Sequence, residues 1–260
     1  YGFGESMINS LGAGLGFTTQ AIRPVTASEE TISSTRIREA LVAGEDRFIQ
    51  IVSCNTHNIT TLIKTLGREP DGSYALERGT FVCMRRANDI SQTKSFCPAP
   101  QAGKHDDADF GTHHAHDAHH VFETLGLGFD LFSSAVKLNT QYMHSIWFNL
   151  RFRRDVTREE MVARLADNPL VALTDKRDAN EVFSFGRDHG YYGRILSQTV
   201  VATPTLAVRR SRDLFGFCFT PQDGNSLLSS IAAALWAIEP DWESVAKRLE
   251  WTKRWLFREI

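Results

Sequence analysis

Cys54 is the residue with the most chemistry to offer. It lies in Phe48-Ile49-Gln50-Ile51-Val52-Ser53-Cys54-Asn55-Thr56, ahead of Ile59-Thr60-Thr61-Leu62-Ile63-Lys64-Thr65-Leu66. Phe48 to Val52 is mostly apolar and β-favouring, and reads as a buried strand. Ile59, Leu62, Ile63 and Leu66 recur at helical spacing. The thiol is therefore expected at a strand-to-helix junction, beside the unpaired N–H groups and the positive dipole end of a helix start. Such a seat lowers a thiol's pKa and makes a nucleophile available near neutral pH. The competing reading is a structural cysteine buried in a βα unit, and spacing alone does not choose between them.

Histidine is the natural proton partner of such a thiol, because it titrates near neutral pH. Residues 91–120, with Pro98, Pro100 and Gly103, read as a long irregular loop. That loop holds His105, His113, His114, His116, His119 and His120, six of the nine histidines. If it turned helical, His113, His116 and His120 with Asp117 could ligate Zn²⁺ or Ni²⁺; otherwise they decorate a surface, and no metal site is assigned. Thr80 to Met84 reads as a strand running into Arg85-Arg86, and an arginine there is a good grip on a phosphate.

The elements that must position these groups follow from pattern. Ser133 to Lys137 and His144 to Leu150 are strand candidates. Thr157 with Glu160 three residues on is a capping box, opening a helix whose apolar face is Met161, Val162 and Leu165. Leu170 to Leu173, Thr199 to Val201, Thr205 to Val208 and Leu214 to Phe219 are further strands, and Gly186 to Arg194 is a loop. Ser226 to Trp236 is a hydrophobic helix, and Asp241 to Phe257 a single amphipathic one. Five to eight strands with a few long helices, not strictly alternating, make an α+β fold: a mixed, largely antiparallel sheet with helices on one face. Trp147, Phe148, Phe215, Phe217 and Phe219 are either core or an oligomerisation face.

Composition narrows the setting. A chain of 260 residues, 42% hydrophobic and 23% charged, fits a globular protein. Its net charge of -2 does not suggest a nucleic-acid partner. Cys54, Cys83, Cys97 and Cys218 are scattered without CxxC spacing, which points to a reducing, cytoplasmic compartment. No apolar run is long enough to suggest a transmembrane helix, and no signal peptide is expected.

Residues 1–47 form a separate segment. A glycine-rich opening leads to Ile32-Ser33-Ser34-Thr35-Arg36-Ile37-Arg38-Glu39-Ala40-Leu41, a capped helix start. Its hydroxyls, N–H groups and arginines suit a phosphate, and equally an ordinary surface helix. Phe3-Gly4, Gly16-Phe17 and Ile32 to Leu41 together resemble the tail of the FMN adenylyltransferase domain of bacterial FAD synthetases. That resemblance covers residues 1–45, lacks the upstream histidine motif, and does not by itself imply adenylyl transfer.

From about residue 46 onward the chain resembles the catalytic domain of archaeal-type (type II) glyceraldehyde-3-phosphate dehydrogenases. Ser53-Cys54-Asn55-Thr56 is similar to their SCNTT motif, Val82 to Asp89 to a VxVRRAADP strand, and Thr112 to Asp117 to SHHGPD. Met143-His144-Ser145-Ile146 is similar to an MHVHS strand, and Pro221-Gln222-Asp223 to an HQES segment. The resemblance implies that Cys54 attacks an aldehyde carbon to give a thiohemiacetal. A histidine of the His113-His114 pair, assigned here as His114, takes the hydroxyl proton. Hydride then leaves to NAD or NADP, and inorganic phosphate cleaves the thioester. Ser53, Asn55, His113 and His114 contact the phosphorylated aldehyde, and Arg86 (or Arg85) and Gln222 reach the cofactor. A cytoplasmic homo-oligomer, a tetramer in that family, is implied. The departures are His57-Asn58 where that family has Thr-Gly, and Ala115-His116 where it has Gly-Pro. The NAD(P)-binding Rossmann half is expected to be mostly absent from the chain. A non-catalytic oligomerisation or metal-binding module derived from that domain, or a thiol esterase or phosphatase, are the alternatives.

Overall fold

A computed structural model describes residues 51–87, 97–140, 142–188, 198–220 and 225–260. The lead segment 1–47, with its nucleotidyltransferase-like helix, and Pro221-Gln222-Asp223 lie outside the described residues.

Period-two burial organises the centre of the sheet. Strand β1 (Leu76–Arg85) buries Leu76, Gly79, Phe81 and Cys83. Strand β4 (His144–Phe152) buries Ile146, Phe148, Leu150 and Phe152, while the intervening Ser145 and Trp147 are half-buried. The two pair antiparallel, with Phe81 opposite Phe148 and Cys83 opposite Ile146. The remaining strands are β2 (Gln101–Ala102), β3 (Asp130–Lys137), β5 (Val171–Thr174), β6 (Thr199–Ala202), β7 (Ala207–Arg209) and β8 (Asp213–Thr220). They give the order β2-β3-β1-β4-β8-β6-β5, with β7 beside β8. Pairs β1–β3 and β5–β6 are parallel and the others antiparallel, as the expected mixed, largely antiparallel sheet requires.

Helices α1 (Cys54–Gly67) and α2 (His113–Glu123) cover one face. Ile59, Leu62, Ile63 and Leu66 of α1 and Ala115, Ala118 and Phe122 of α2 share one core with the strands. Helix α3 (Arg158–Asp167) opens as expected, with Thr157 Oγ1 accepting from Glu160 N at 3.1 Å. Glu160 does not complete the box; its carboxylate pairs with Arg154 and Arg164. Met161 and Leu165 supply the buried face. Helices α4 (Ala179–Asp188), α5 (Asn225–Ile238) and α6 (Trp242–Arg248) complete the fold. No helix among the described residues is long and apolar enough to cross a membrane.

Four expectations need correction. The irregular stretch over 91–120 contains the first eight residues of α2, whose small apolar stripe is hidden in sequence among histidines. Gly186 belongs to α4 rather than a loop, because Val182 and Gly186 bury the same side of that helix. The last helix is split: α6 ends where Leu249 N–H is shared between Val245 and Ala246 carbonyls, and a 3₁₀ turn follows over Glu250–Trp255. Of the strand expected over Phe48 to Val52, the described Ile51 and Val52 are not in a strand.

Candidate active site

Helix α1 begins at Cys54, with Ser53 as its N-cap: Ser53 Oγ accepts from Thr56 N at 3.3 Å. The thiol therefore sits in the first turn, as the helical spacing predicts, and the described Ile51 and Val52 before it are not in a strand. Cys54 is half-buried, whereas Cys83, Cys97 and Cys218 are buried. Burial pushes the Cys218 thiol up to about 12 and raises that of Cys83, so neither is a nucleophile at neutral pH.

Three expected residues, Ser53, Asn55 and His114, are joined by hydrogen bonds, and the first two flank Cys54 in sequence. His114, on α2, is 4% exposed. Its Nε2 lies 3.4 Å from Asn55 Nδ2 and its Nδ1 3.2 Å from Ser53 Oγ. An amide nitrogen only donates, so His114 Nε2 accepts and Nδ1–H donates to Ser53. His114 is thus a neutral imidazole with both ring nitrogens engaged. Burial, followed by the nearby His113, Arg85 and His144, pushes its pKa down to about 2.

The group sequence reasoning missed is His144, the first residue of β4 and 6% exposed. Its Nδ1 stands 3.7 Å from Cys54 Sγ and 3.2 Å from Asn55 Oδ1. Asn55 Nδ2 faces His114, so its Oδ1 must face His144, and an acceptor there calls for a hydrogen on His144 Nδ1. That hydrogen points at the sulfur as well. The available signal was the Met143-His144 strand motif itself, whose histidine carries no sequence cue that it ends beside Cys54.

Other singled-out residues fall differently. His113 is exposed and packs against His114 with the rings tilted by 51° and their centroids 3.9 Å apart. His57, one turn after Ser53, hydrogen-bonds Ser229 Oγ on α5 at 2.6 Å, and burial lowers its pKa. Asn58 is wholly enclosed: it donates to Thr220 Oγ1 and Phe219 O and accepts from Thr199 Oγ1, tying α1 to β8 and β6. Arg85 is exposed at the end of β1 and Arg86 is buried, while Gln222 lies outside the described residues.

A dinucleotide needs a strand running into a glycine-rich turn at a helix start. Of the two parallel crossovers, β1-α2-β3 and β5-α4-β6, the first has β1 ending in Arg85 and followed by Arg86-Ala87, and the second has β5 followed by Asp175-Lys176-Arg177-Asp178. The open cleft beyond β5 is lined by Asp175, Lys176, Arg177, Asp178 and Glu181, and offers no glycine-rich turn. The described residues do not fit NAD or NADP as a cradle.

No protein-family model matches the chain. It is similar to curated glyceraldehyde-3-phosphate dehydrogenases from three archaea. Identity to the protein of Metallosphaera sedula is 29% over 64% of this chain and 47% of that one. For Sulfolobus acidocaldarius the values are 31%, 59% and 43%, and for Haloarcula marismortui 25%, 71% and 50%. The chain spans about half the length of the curated relatives it matches. These likenesses and the mixed sheet support a glyceraldehyde-3-phosphate-dehydrogenase-like domain.

Proposed function

We propose that this chain carries the nucleophile-bearing half of an aldehyde-phosphate dehydrogenase, and that Cys54 adds to the aldehyde carbon. The observation that carries the reading is the half-exposed Cys54 Sγ at the start of α1 with His144 Nδ1 at 3.7 Å. His144 Nδ1 already carries its hydrogen, so the thiol proton leaves to solvent, and the thiolate left at the helix start is held by that Nδ1–H. As the C–S bond forms, the carbonyl electron pair moves to oxygen, which takes a proton from solvent to give the thiohemiacetal. His144, rather than the His114 that the resemblance assigned as base, is the histidine that faces the sulfur, and it acts by stabilising the thiolate. His114, neutral and held by Ser53 and Asn55, instead orients Asn55, and the exposed His113 is the histidine placed to meet substrate. Arg85, exposed and close enough for its charge to press on His114, is placed to meet the substrate phosphate. Oxidation of the adduct needs NAD or NADP on a cradle supplied by other residues, and transfer to inorganic phosphate follows only from that. A reducing, cytoplasmic setting suits four free cysteines.

Alkylation tests this directly. Iodoacetamide is expected to modify Cys54 ahead of the buried thiols, glyceraldehyde 3-phosphate to protect it, and His144→Asn to slow it more than His114→Gln does. Equal rates in wild type and His144→Asn, or no protection by the aldehyde, would end the proposal. A homo-oligomer built on the open sheet face belongs to the same reading and is taken up below.

A further inference from the structure

Helix α2 carries a second cluster that the chemistry at Cys54 does not use. His116 and His120 lie four residues apart, on one helix face. Their Nε2 atoms stand 3.1 Å apart, with ring centroids 4.4 Å apart and edges meeting. Each ring turns its other nitrogen to a carboxylate: His120 Nδ1 is 2.6 Å from Glu123 Oε2, and His116 Nδ1 is 3.5 Å from Asp117 Oδ1. A nitrogen facing a carboxylate keeps its hydrogen, because two acceptors repel. In a neutral imidazole Nε2 is then a bare lone pair. Two lone pairs at this distance repel unless a cation lies between them, either a shared proton or a metal ion.

The geometry fits a metal. With metal–nitrogen bonds of roughly 2.0–2.1 Å, neighbouring ligands at octahedral to tetrahedral angles sit roughly 2.9–3.4 Å apart. A carboxylate behind each ring is what ligating histidines ordinarily carry, since it fixes the tautomer and raises ligand basicity. The supports are themselves held: Phe110 lies edge-on to His116, and His119 Nε2 braces Glu123 Oε1 at 3.2 Å. Side-chain exposures of 30% for His116 and 46% for His120 leave the pair open to solvent. Among the described residues no group of three or more His, Cys, Asp or Glu side chains could hold a metal, so water completes the coordination. The wider set expected from sequence does not form: His113 packs against His114, and Asp117 sits behind His116 rather than beside its Nε2.

We propose that His116 and His120 form a two-histidine chelate for a late first-row divalent cation, with Glu123 and Asp117 as positioning residues. The metal displaces the shared proton. Imidazole pairs favour Ni²⁺, Cu²⁺ and Zn²⁺, while Mg²⁺ and Ca²⁺ seek oxygen and pass the site by.

Calorimetric titration of the untagged full chain with Ni²⁺ and Zn²⁺, its thiols blocked with iodoacetamide, tests this. One equivalent is expected to bind and to be lost in the double variant His116→Gln/His120→Gln. Glu123→Gln should weaken it roughly 10–100-fold, the usual effect of removing a carboxylate behind a ligating histidine. On the unaltered protein, Ni²⁺ should broaden the imidazole NMR signals of His116 and His120 ahead of those of His105 and His113, a readout that needs no variant to fold. Unchanged binding in the double variant, broadening centred on other histidines, or no stoichiometric binding at all with a single proton shared between the rings would each overturn the proposal.

Discussion

Asn55 decides which hydrogens its neighbours carry. Its amide nitrogen spends itself on His114, so its oxygen turns to His144 and Thr220. Asn55→Leu keeps much of the volume and removes both choices. Cys54 alkylation is then expected to slow by roughly tenfold, the size of one lost hydrogen bond to a charged group; an unchanged rate would place the thiolate's stabilisation elsewhere. His114 makes a second, pH-dependent statement. Its folded pKa of about 2 lies below its ordinary 6.5, so between these values the unfolded chain holds the extra proton. The stability linked to it is fully present above the unfolded value and is lost as pH falls, by up to about 1.4 kcal/mol per pH unit for one proton. His57, also lowered by burial, acts in the same direction. His114→Gln should therefore flatten the dependence of unfolding free energy on pH from about 6 to 4, measured by urea titration, by close to one proton. If the slope stays the same, His114 is not buried as a neutral group.

At the scale of elements, the start of α2 is held from across the fold. Thr112, its N-cap, makes no side-chain cap of its own; Ser133 Oγ on β3 accepts from Ala115 N at 3.0 Å and meets Thr112 Oγ1 at 2.7 Å. Gly111 makes the approach possible. Its φ is +75°, and a Cβ there would come 2.3 Å from Ser133 O. Gly111→Ala is expected to cost about 1–3 kcal/mol by strain alone and to slow Cys54 alkylation, because His114 rides on this helix. Thr157→Ala, which removes the α3 cap, should cost about 1 kcal/mol and leave alkylation untouched. If both behave alike in the alkylation assay, α2 does not position the site. The same residues explain what sequence could show. Helix α1, its start at Cys54, the Thr157 cap and most strands follow from local periodicity and capping, which lie within a few residues of one another. The beginning of α2 depends on a serine 21 residues downstream, and the placement of His144 on a sheet register set by β1 and β8. Neither relation has a local signature, so α2 reads as loop and His144 as one more strand residue.

At the scale of the whole molecule, α1 and α2 cover one face of the sheet, and among the described residues the other face carries a run of apolar side chains at the alternate positions. Val82, Met84, Phe132, Trp147, Phe215 and Phe217 alternate with the core positions and are only half-buried. Trp147 and Phe215 sit on paired strands with ring centroids 6.0 Å apart. An aromatic-rich surface spread over four neighbouring strands is larger than single scattered apolar residues and is the kind that associates. A second copy of the chain is the expected partner, and the alternating register explains why one substitution can disrupt it without entering the core. Phe217→Lys puts a charge on the outward side of β8, where its neighbours Gly216 and Cys218 stay buried. Light scattering should find the wild type at a multiple of 29.2 kDa and Phe217→Lys at 29.2 kDa, with circular dichroism unchanged. Alkylation of Cys54 should survive in the monomer, since the thiol lies with α1 on the opposite side of the sheet. A wild type that runs as a folded monomer at all working concentrations would remove self-association from the proposed function and leave the thiol chemistry to stand on its own.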